Sequence, residues 1–426
     1  MKNAAIAAGP KSTRHTTWRR VMWYLLALAG PGLIAANAGN DAGGIATYAS
    51  AGAQFGYRTL FFMLLVTIAL IVVQEMCARL GAYTGEGLGS LIREQFSLRM
   101  SALALGAFVI ANVGLVVSEF AGIAAALSLF HISRYVSIPV AAVLVWSLVV
   151  FGSYRRAERI FLALSLAFLT YPVAAFLSHP NIGQATNQLI LPHFLYTKGF
   201  LLLGVALIGT TITPYMQFYI ASAVPDKGIG PDEYKRERIN TIIGCIFANL
   251  ISVFIIIATA SALKVRAPLH SAADAAQALK PVAGRFAEEL FGVGLLGASA
   301  LAAAVVPLST SYAVSEAIGS ERSVGKRFRE APIFISLFTA QIIIGAAVAL
   351  VPSNLIKTLI NAQILNGIIT PILLTYILIL ANKKRLLGNA ANGHAFRLVA
   401  TVCVVVISLL SLTVLVTTVG GWLGFS

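Results

Sequence analysis

Charge is what this sequence has least of. Only 11% of its 426 residues are charged, against 58% hydrophobic, where a soluble domain is about 25% charged and about half apolar. That scarcity excludes a soluble enzyme, a disordered chain and a nucleic-acid-binding protein. Cysteine is scarce as well. The three present (Cys77, Cys245, Cys403) are an odd number in or beside apolar runs, and they read as small hydrophobes rather than disulfide partners. All six histidines (His15, His131, His179, His193, His270, His394) fall outside the apolar runs, which argues against a buried zinc or copper centre. Enzyme motifs are missing too. There is no H-E-x-x-H, no G-x-S-x-G, and one deep aspartate where an aspartyl dyad needs two. Gly85, Gly87 and Gly89 faintly suggest a phosphate loop, but no strand precedes them and the Walker lysine is absent. Neither an enzyme nor a resident cofactor is expected.

What the sequence does have is apolar runs of about 20 residues, repeated along the whole chain, the signature of an all-α polytopic membrane protein. Eleven spans can be drawn, at 23–54, 57–78, 101–130, 135–152, 159–178, 198–224, 240–263, 286–318, 331–351, 355–381 and 396–424. No soluble domain fits between them, and the longest loops are 179–197 and 264–285. Lipid is the expected environment, with no nucleic acid and no obligate protein partner. The net charge of +15 sits in short loops, where it reports topology. Basic residues concentrate in the N-terminal segment, in Arg79, Arg93 and Arg99, in Arg155, Arg156 and Arg159, and in 227–238, 322–329 and 383–397. The positive-inside rule then places the N-terminus in the cytoplasm and the C-terminus outside, in a plasma (inner) membrane. Arg19-Arg20, an apolar run and Ala36-Asn37-Ala38 imitate a cleaved leader, but Gly30-Pro31-Gly32 interrupts the run, so cleavage is not expected.

Two spans are broken. The first is interrupted by Asn37-Ala38-Gly39-Asn40-Asp41-Ala42-Gly43-Gly44, too glycine-rich and polar for a regular helix in lipid. The sixth is interrupted by Gly209-Thr210-Thr211-Ile212-Thr213-Pro214, where Pro214 removes a backbone donor and disfavours helix at Thr213. Irregular backbone at membrane depth survives only where it lines a protein-enclosed cavity. The breaks lie five spans apart, at matching positions of two five-span halves. An odd span number turns the second half upside down, the pattern of an inverted-repeat transporter with its substrate site at the broken helices. The chain accordingly divides into a cytoplasmic segment 1–22, a first repeat 23–178, an inverted repeat 198–381 and an eleventh helix 396–424.

Of the four aspartates, Asp226, Asp232 and Asp274 fall in loops; Asp41 alone lies in a span. A carboxylate at the bilayer midplane costs several kcal/mol unless partnered, and no basic residue lies centrally in any span. A cation from solution would satisfy it; a neutral carboxyl hydrogen-bonded to its own break is the alternative. Glu119, mid-span, reads as structural or gating, with a proton-carrying role left open. Glu75 and Arg79, spaced i, i+4, read as an ordinary helix pair. Gln363 and Asn366, with Asn361 nearby, give the tenth span a polar stripe that faces either a cavity or another helix.

These residues resemble a known family. Gly30-Pro31-Gly32, Asp41-Ala42-Gly43-Gly44, Ala46-Thr47, Ala51-Gly52-Ala53, Gly56-Tyr57, Gln74, Ala78-Arg79-Leu80-Gly81 and Thr84-Gly85 resemble the Nramp divalent-metal transporters, as do the sixth-span break and Gln363. The resemblance implies a LeuT-like fold with a metal site between the first, sixth and tenth helices. The departures are informative. The family's Asp-Pro-Gly-Asn reads Asp41-Ala42-Gly43-Gly44 here, so an asparagine ligand becomes glycine. The sixth helix, where the family has alanine and then methionine-proline-histidine, holds Thr210 and then Thr213-Pro214-Tyr215. A second family histidine falls at Ile220, and an acid pair linked to proton movement is reduced to Glu119 beside Val116. This pattern is similar to the Nramp-related magnesium transporters. Met216 offers a thioether only under a shifted alignment.

The substitutions share one logic. Mg2+ is hard, prefers oxygen and gives up water reluctantly, whereas thioether and imidazole favour transition metals. The resemblance thus implies inward movement of partly hydrated Mg2+, with Mn2+ possible. Asp41 would supply charge, carbonyls near Gly44 and Thr210 the dipoles, and Thr213 and Gln363 direct or water-mediated contacts. Transport would be driven by the membrane potential without protons, since Val116, Tyr215 and Ile220 do not titrate near neutral pH. The rivals are a proton-coupled Mn2+/Fe2+ carrier and an amino-acid-type carrier, whose substrate carboxylate Asp41 would repel.

Overall fold

The computed structural model describes residues 40–151, 166–263, 267–320, 331–351 and 353–422. The segment 1–22, the first half of the opening span with Gly30-Pro31-Gly32, the Asn37–Gly39 part of its break and the basic residues at 155–159 and 322–329 lie outside the described residues. Among the described residues every regular element is helical. Eight helical stretches among those residues are long and apolar enough to cross a membrane, and two shorter ones, Arg134–Val150 and Leu166–Leu177, accompany them. One long stretch, Ala42–Thr84, contains the later part of the first expected span and all of the second. It is divided where Gly56 adopts φ 63°, a left-handed conformation that glycine takes without a Cβ penalty.

In chain order the main helices are α1 (Ala42–Phe55), α2 (Leu60–Thr84), α3 (Leu88–Gln95), α4 (Leu98–Ser128), α5 (Arg134–Val150), α6 (Tyr171–Leu177), α7 (Ile182–Ile190), α8 (Lys198–Thr211), α9 (Pro214–Asp226), α10 (Tyr234–Ala262), α11 (Ala287–Ala317), α12 (Pro332–Leu350), α13 (Leu355–Asn382) and α14 (His394–Trp422). Both long loops contain helix that the hydropathy reading leaves out. In 179–197 the Asn181 side chain caps α7 by accepting from Gln184 N at 3.0 Å. In 264–285 a reciprocal Ser271–Asp274 capping box starts a short turn at Ala272–Ala276. Polar caps start these helices, so hydropathy does not see them.

On its described side the first break ends sooner than the run of glycines suggests. Asp41 is the N-cap of α1, in extended conformation (φ −68°, ψ 175°), and helix begins at Ala42. Gly43 and Gly44 therefore belong to its first turn. The second break follows the expected proline chemistry. Thr213 is extended (φ −65°, ψ 135°) and Pro214 opens α9, where a missing N–H is harmless.

Helix α13 is the strap on which the core is built. It packs along α4, α8 and α1, while α4 also packs against α11 and α1 against α10. The broken pair α8–α9 is the most enclosed span, 83% buried over its apolar window, and α14 the least at 28%, so α14 flanks the bundle rather than filling it. Two glycines bring α8 and α13 together. A Cβ on Gly209 would sit 2.0 Å from the Gln363 carbonyl oxygen, and one on Gly367 2.2 Å from that of Val205.

Glu75 and Arg79 are more than a local pair. They bridge at 3.1 Å, and both are buried. Glu75 also accepts from Tyr234 Oη at 2.5 Å, and Arg79 donates to the Ala390 carbonyl at 3.0 Å and to Asn392 Oδ1. The cluster ties α2 to α10 and to the segment before α14.

The Gly209 contact yields a test. Both atoms that its Cβ would meet within 2.5 Å are backbone, so no side chain can yield and the helices must part. Overpacking of this kind costs about 1–3 kcal/mol. Gly209→Ala is expected to lower the melting temperature in detergent, while alanine at Gly106, where nothing lies within 4 Å, leaves it unchanged or raised.

Candidate metal site

Three segments meet at the first break. Asp41 is 2% exposed, and its Oδ1 accepts from the Gly44 backbone N–H at 2.6 Å and from Gln363 Nε2 at 3.4 Å. The carboxylate thus satisfies an otherwise orphaned donor of a helix start, where negative charge is favoured. Its other oxygen, Oδ2, is buried without a hydrogen-bond partner among the described residues. Glu119, fully buried on α4, joins the same helix end: its Oε2 accepts from Ala42 N at 3.4 Å, and its Oε1 has no partner among the described residues. Among those residues neither acid forms an ion pair, the bridges being those of Glu75.

Gln363 reaches Asp41 because position 43 is glycine. A Cβ there would lie 2.0 Å from Gln363 Nε2 and 2.8 Å from Ser118 Oγ. One turn further on, Asn366 Nδ2 donates to Gln363 Oε1 at 3.3 Å. After another turn Thr370 Oγ1, whose shorter bond is to the Asn366 carbonyl at 2.7 Å, lies 3.5 Å from the Ile212 carbonyl, so α13 touches both breaks.

The second break is knit to itself. Thr213 Oγ1 donates to the Thr210 carbonyl at 2.7 Å, and Gln217 Nε2 donates to the Thr213 carbonyl at 3.5 Å. Tyr48 links the two halves. It hydrogen-bonds Thr211 Oγ1 at 3.1 Å and neighbours Thr210, Ser252 and the Asp41 charge. Asp41, Gly44 and Gln363 therefore form one bonded set, and Thr210 and Thr213 a second beside it. Gly44 contributes its N–H to Asp41, and lies within α1, where its carbonyl belongs to the helical ladder. Met216 is buried in the apolar core, with its backbone N donating to Thr213 O at 3.2 Å.

Sequence reasoning did not select Tyr48, Ser118 or Ser252. Tyr48 had a usable signal, since seven residues from Asp41 is two turns on one face of α1. Ser118 and Ser252 had none, as serine in a span more often bonds its own helix.

The groups assembled here are two carboxyls, Asp41 and Glu119, with amides, hydroxyls and carbonyls. No group of three or more His, Cys, Asp or Glu side chains converges among the described residues. This is an oxygen-rich site between the start of α1 and the α8–α9 break, which fits the plan of a membrane transporter with its substrate site at interrupted helices.

Known proteins agree with that class. The family model Nramp, "Natural resistance-associated macrophage protein-like", matches residues 32–417, and the chain belongs to that family. It is 28% identical over 407 residues to the divalent metal cation transporter MntH of Ralstonia nicotianae, covering 91% of this chain and 90% of the relative. It is 25% identical over 410 residues to MntH of Bacillus subtilis, covering 92% and 93%. The fold matches a crystal structure of a mutant manganese transporter from Eremococcus coleocola with a TM-score of 0.74 at 18% identity, covering 97% of this chain and 90% of that one. It also matches MHP1, a nucleobase-cation-symport-1 family transporter, with a TM-score of 0.51 at 13% identity, covering 90% of each chain. The fold is thus the LeuT-like one that the broken helices suggested.

Gly43 gives the site its own test. The atoms in the way of a Cβ there belong to side chains, chiefly the end of Gln363 and then the Ser118 hydroxyl, so Gly43→Ala is expected to fold and to push Gln363 off Asp41. A structure of the variant should show Gln363 Nε2 beyond hydrogen-bond distance of Asp41 and the Gly44–Asp41 cap retained. An amide still bonded to Asp41 contradicts the argument.

Proposed function

We propose that this protein carries partly hydrated Mg2+, and Mn2+ less selectively, into the cell across the plasma (inner) membrane. The N-terminus would lie in the cytoplasm and the C-terminus outside. The observation that carries the reading is Asp41 Oδ2, a buried carboxylate oxygen without a partner among the described residues, in surroundings of amide and hydroxyl groups with a second acid, Glu119, on the same helix end. A hard divalent cation is the partner that such an oxygen lacks. The curated relatives are divalent metal cation transporters by name, and a matching structure is a manganese transporter. Thr213 stands where a thioether would select softer metals, and Met216 packs in the apolar core, so nothing soft favours Mn2+ or Fe2+ over Mg2+. Thr210, Thr213 and Gln363 would contact the ion or its water shell. Gly44 would act through Asp41, holding the carboxylate by its N–H.

Voltage alone suffices as the driving force. About 100 mV gives about 2.3 kcal/mol per charge, hence about 4.6 kcal/mol for a divalent ion. At about 1.4 kcal/mol per decade, that sustains roughly a thousandfold gradient. One observation favours a second reading, a proton-coupled Mn2+/Fe2+ carrier: Glu119 shares the α1 N-terminus with Asp41 and keeps a partnerless oxygen among the described residues. Against it, Val116 and Ile220 are apolar and buried, and a relay needs a chain of ionisable groups.

Two measurements decide. In proteoliposomes, Mg2+ uptake with Mn2+ and Ca2+ as competitors should show Mg2+ carried by the wild type and abolished in a monodisperse Asp41→Ala variant; normal uptake by that variant would overturn the site. With a pH-sensitive dye inside and an imposed negative-inside potential, Mg2+ entry should leave lumenal pH unchanged after leak correction. Acidification that tracks entry would instead support the proton-coupled reading and point to Glu119.

A further inference from the structure

A carboxylate accepts hydrogen bonds, and a metal ion takes lone pairs. One end of an amide cannot serve both. Gln363 turns its Nε2 end toward Asp41, and its Oε1 faces away to accept from Asn366 Nδ2. So placed, Gln363 gives Asp41 a donor and offers a cation at Asp41 no lone pair. Asn366 is fully buried. Its backbone carbonyl is taken by Thr370 Oγ1 at 2.7 Å, yet its side-chain Oδ1 has no hydrogen-bond partner among the described residues.

We propose that Gln363 and Asn366 form a two-amide relay that reverses when a divalent cation occupies Asp41. The inference rests on the divalent-cation reading above and deepens it. Gln363 rotates half a turn about its terminal torsion, bringing Oε1 to the ion and Nε2 toward Asn366. Two amino groups would then face each other, so Asn366 rotates as well and presents its partnerless Oδ1 to Nε2. The hydrogen bond between the amides persists with its direction reversed, and Asp41 exchanges an amide donor for the cation.

Three features of the site permit this. Terminal amide torsions are soft and broadly two-fold. The exchange swaps NH2 for O in nearly the same volume, which matters where Gln363 lies against Gly43 with no room for a Cβ. Asn366 also keeps one unpaired end in either setting, so the two settings are close to balance, and a ligand that prefers oxygen shifts the population. Asn366 is thus a positioning residue that acts through Gln363 without touching the ion.

The relay predicts that the Asn366 carbonyl passes from unbonded to bonded on ion binding, which a merely structural asparagine would not do. The test is an infrared difference spectrum, Mg2+-bound minus free, of detergent-solubilised full-length protein carrying 13C in its asparagine side-chain carbonyls. A high-frequency carbonyl band should disappear and a lower one appear, in the wild type but not in Gln363→Leu. Transport kinetics supply the second arm. Asn366→Asp can only accept, so it should hold Gln363 oxygen-first and lower both KM and turnover, KM by about tenfold. That effect should shrink in a Gln363→Leu background, where only the added charge acts. If Mg2+ binds in an Asp41-dependent way while the asparagine band stays still, the relay alone is overturned. If neither Mg2+ nor Mn2+ binds, or both bind equally to Asp41→Ala, the divalent-cation reading falls and takes the relay with it.

Discussion

A helix that begins in the middle of a membrane must have its first N–H groups satisfied without water, and Asp41 meets that demand for α1. Its Oδ1 holds the Gly44 N–H at 2.6 Å, as an N-cap does in any soluble helix, but here the cap sits in a buried site. The rest of the site follows from that one contact. Capping turns one carboxylate oxygen into the helix and leaves the other exposed to the interior. Glu119 reaches the neighbouring N–H of Ala42. The group that stabilises the break is therefore also the group that carries the site's charge, and α1 cannot reorient without moving it.

Helix α13 turns two separate breaks into one site. From Gln363 through Asn366 to Thr370 it presents an amide or hydroxyl at each turn, reaching Asp41 at one end and the Ile212 carbonyl at the other. That reach depends on missing side chains. Gly43 admits the Gln363 amide, and Gly209 and Gly367 let the α8 and α13 backbones approach within distances that any Cβ would prevent. Small residues at such crossings are how helices pack in lipid, where van der Waals contact replaces a hydrophobic drive. Here the same glycines also bring a polar group to Asp41.

Much of the architecture was legible in the sequence because it is local. Runs of apolar residues mark spans whatever lies beside them. Pro214 dictates an extended Thr213 through its own ring, and an aspartate ahead of small residues marks a helix start. Asp41 stood out as the one aspartate in an apolar span, so composition alone singled it out. The short helices in the two long loops were missed for an equally local reason: their signal is a cap, Asn181 or the Ser271–Asp274 box, and not hydropathy.

Partner choice was not legible, because it is made between positions far apart in the chain. Gln363 and Asp41 are 322 residues apart, and Glu119 and Ala42 are 77 apart. Nothing in their local spacing says that they meet. Glu75 and Arg79 read as an ordinary helix pair until the fold brings Tyr234 and Asn392 to them. The sequence by itself thus determined which segments are apolar enough to cross a membrane, that Thr213 is extended ahead of Pro214 and which aspartate lies in an apolar run, since backbone geometry and transfer energies set these residue by residue. Only the tertiary structure decided that Gln363 faces Asp41 through its amide nitrogen, that Glu119 shares the α1 N-terminus and that Gly44 serves as a donor, because hydrogen-bond partners at membrane depth are assigned by which helices pack together.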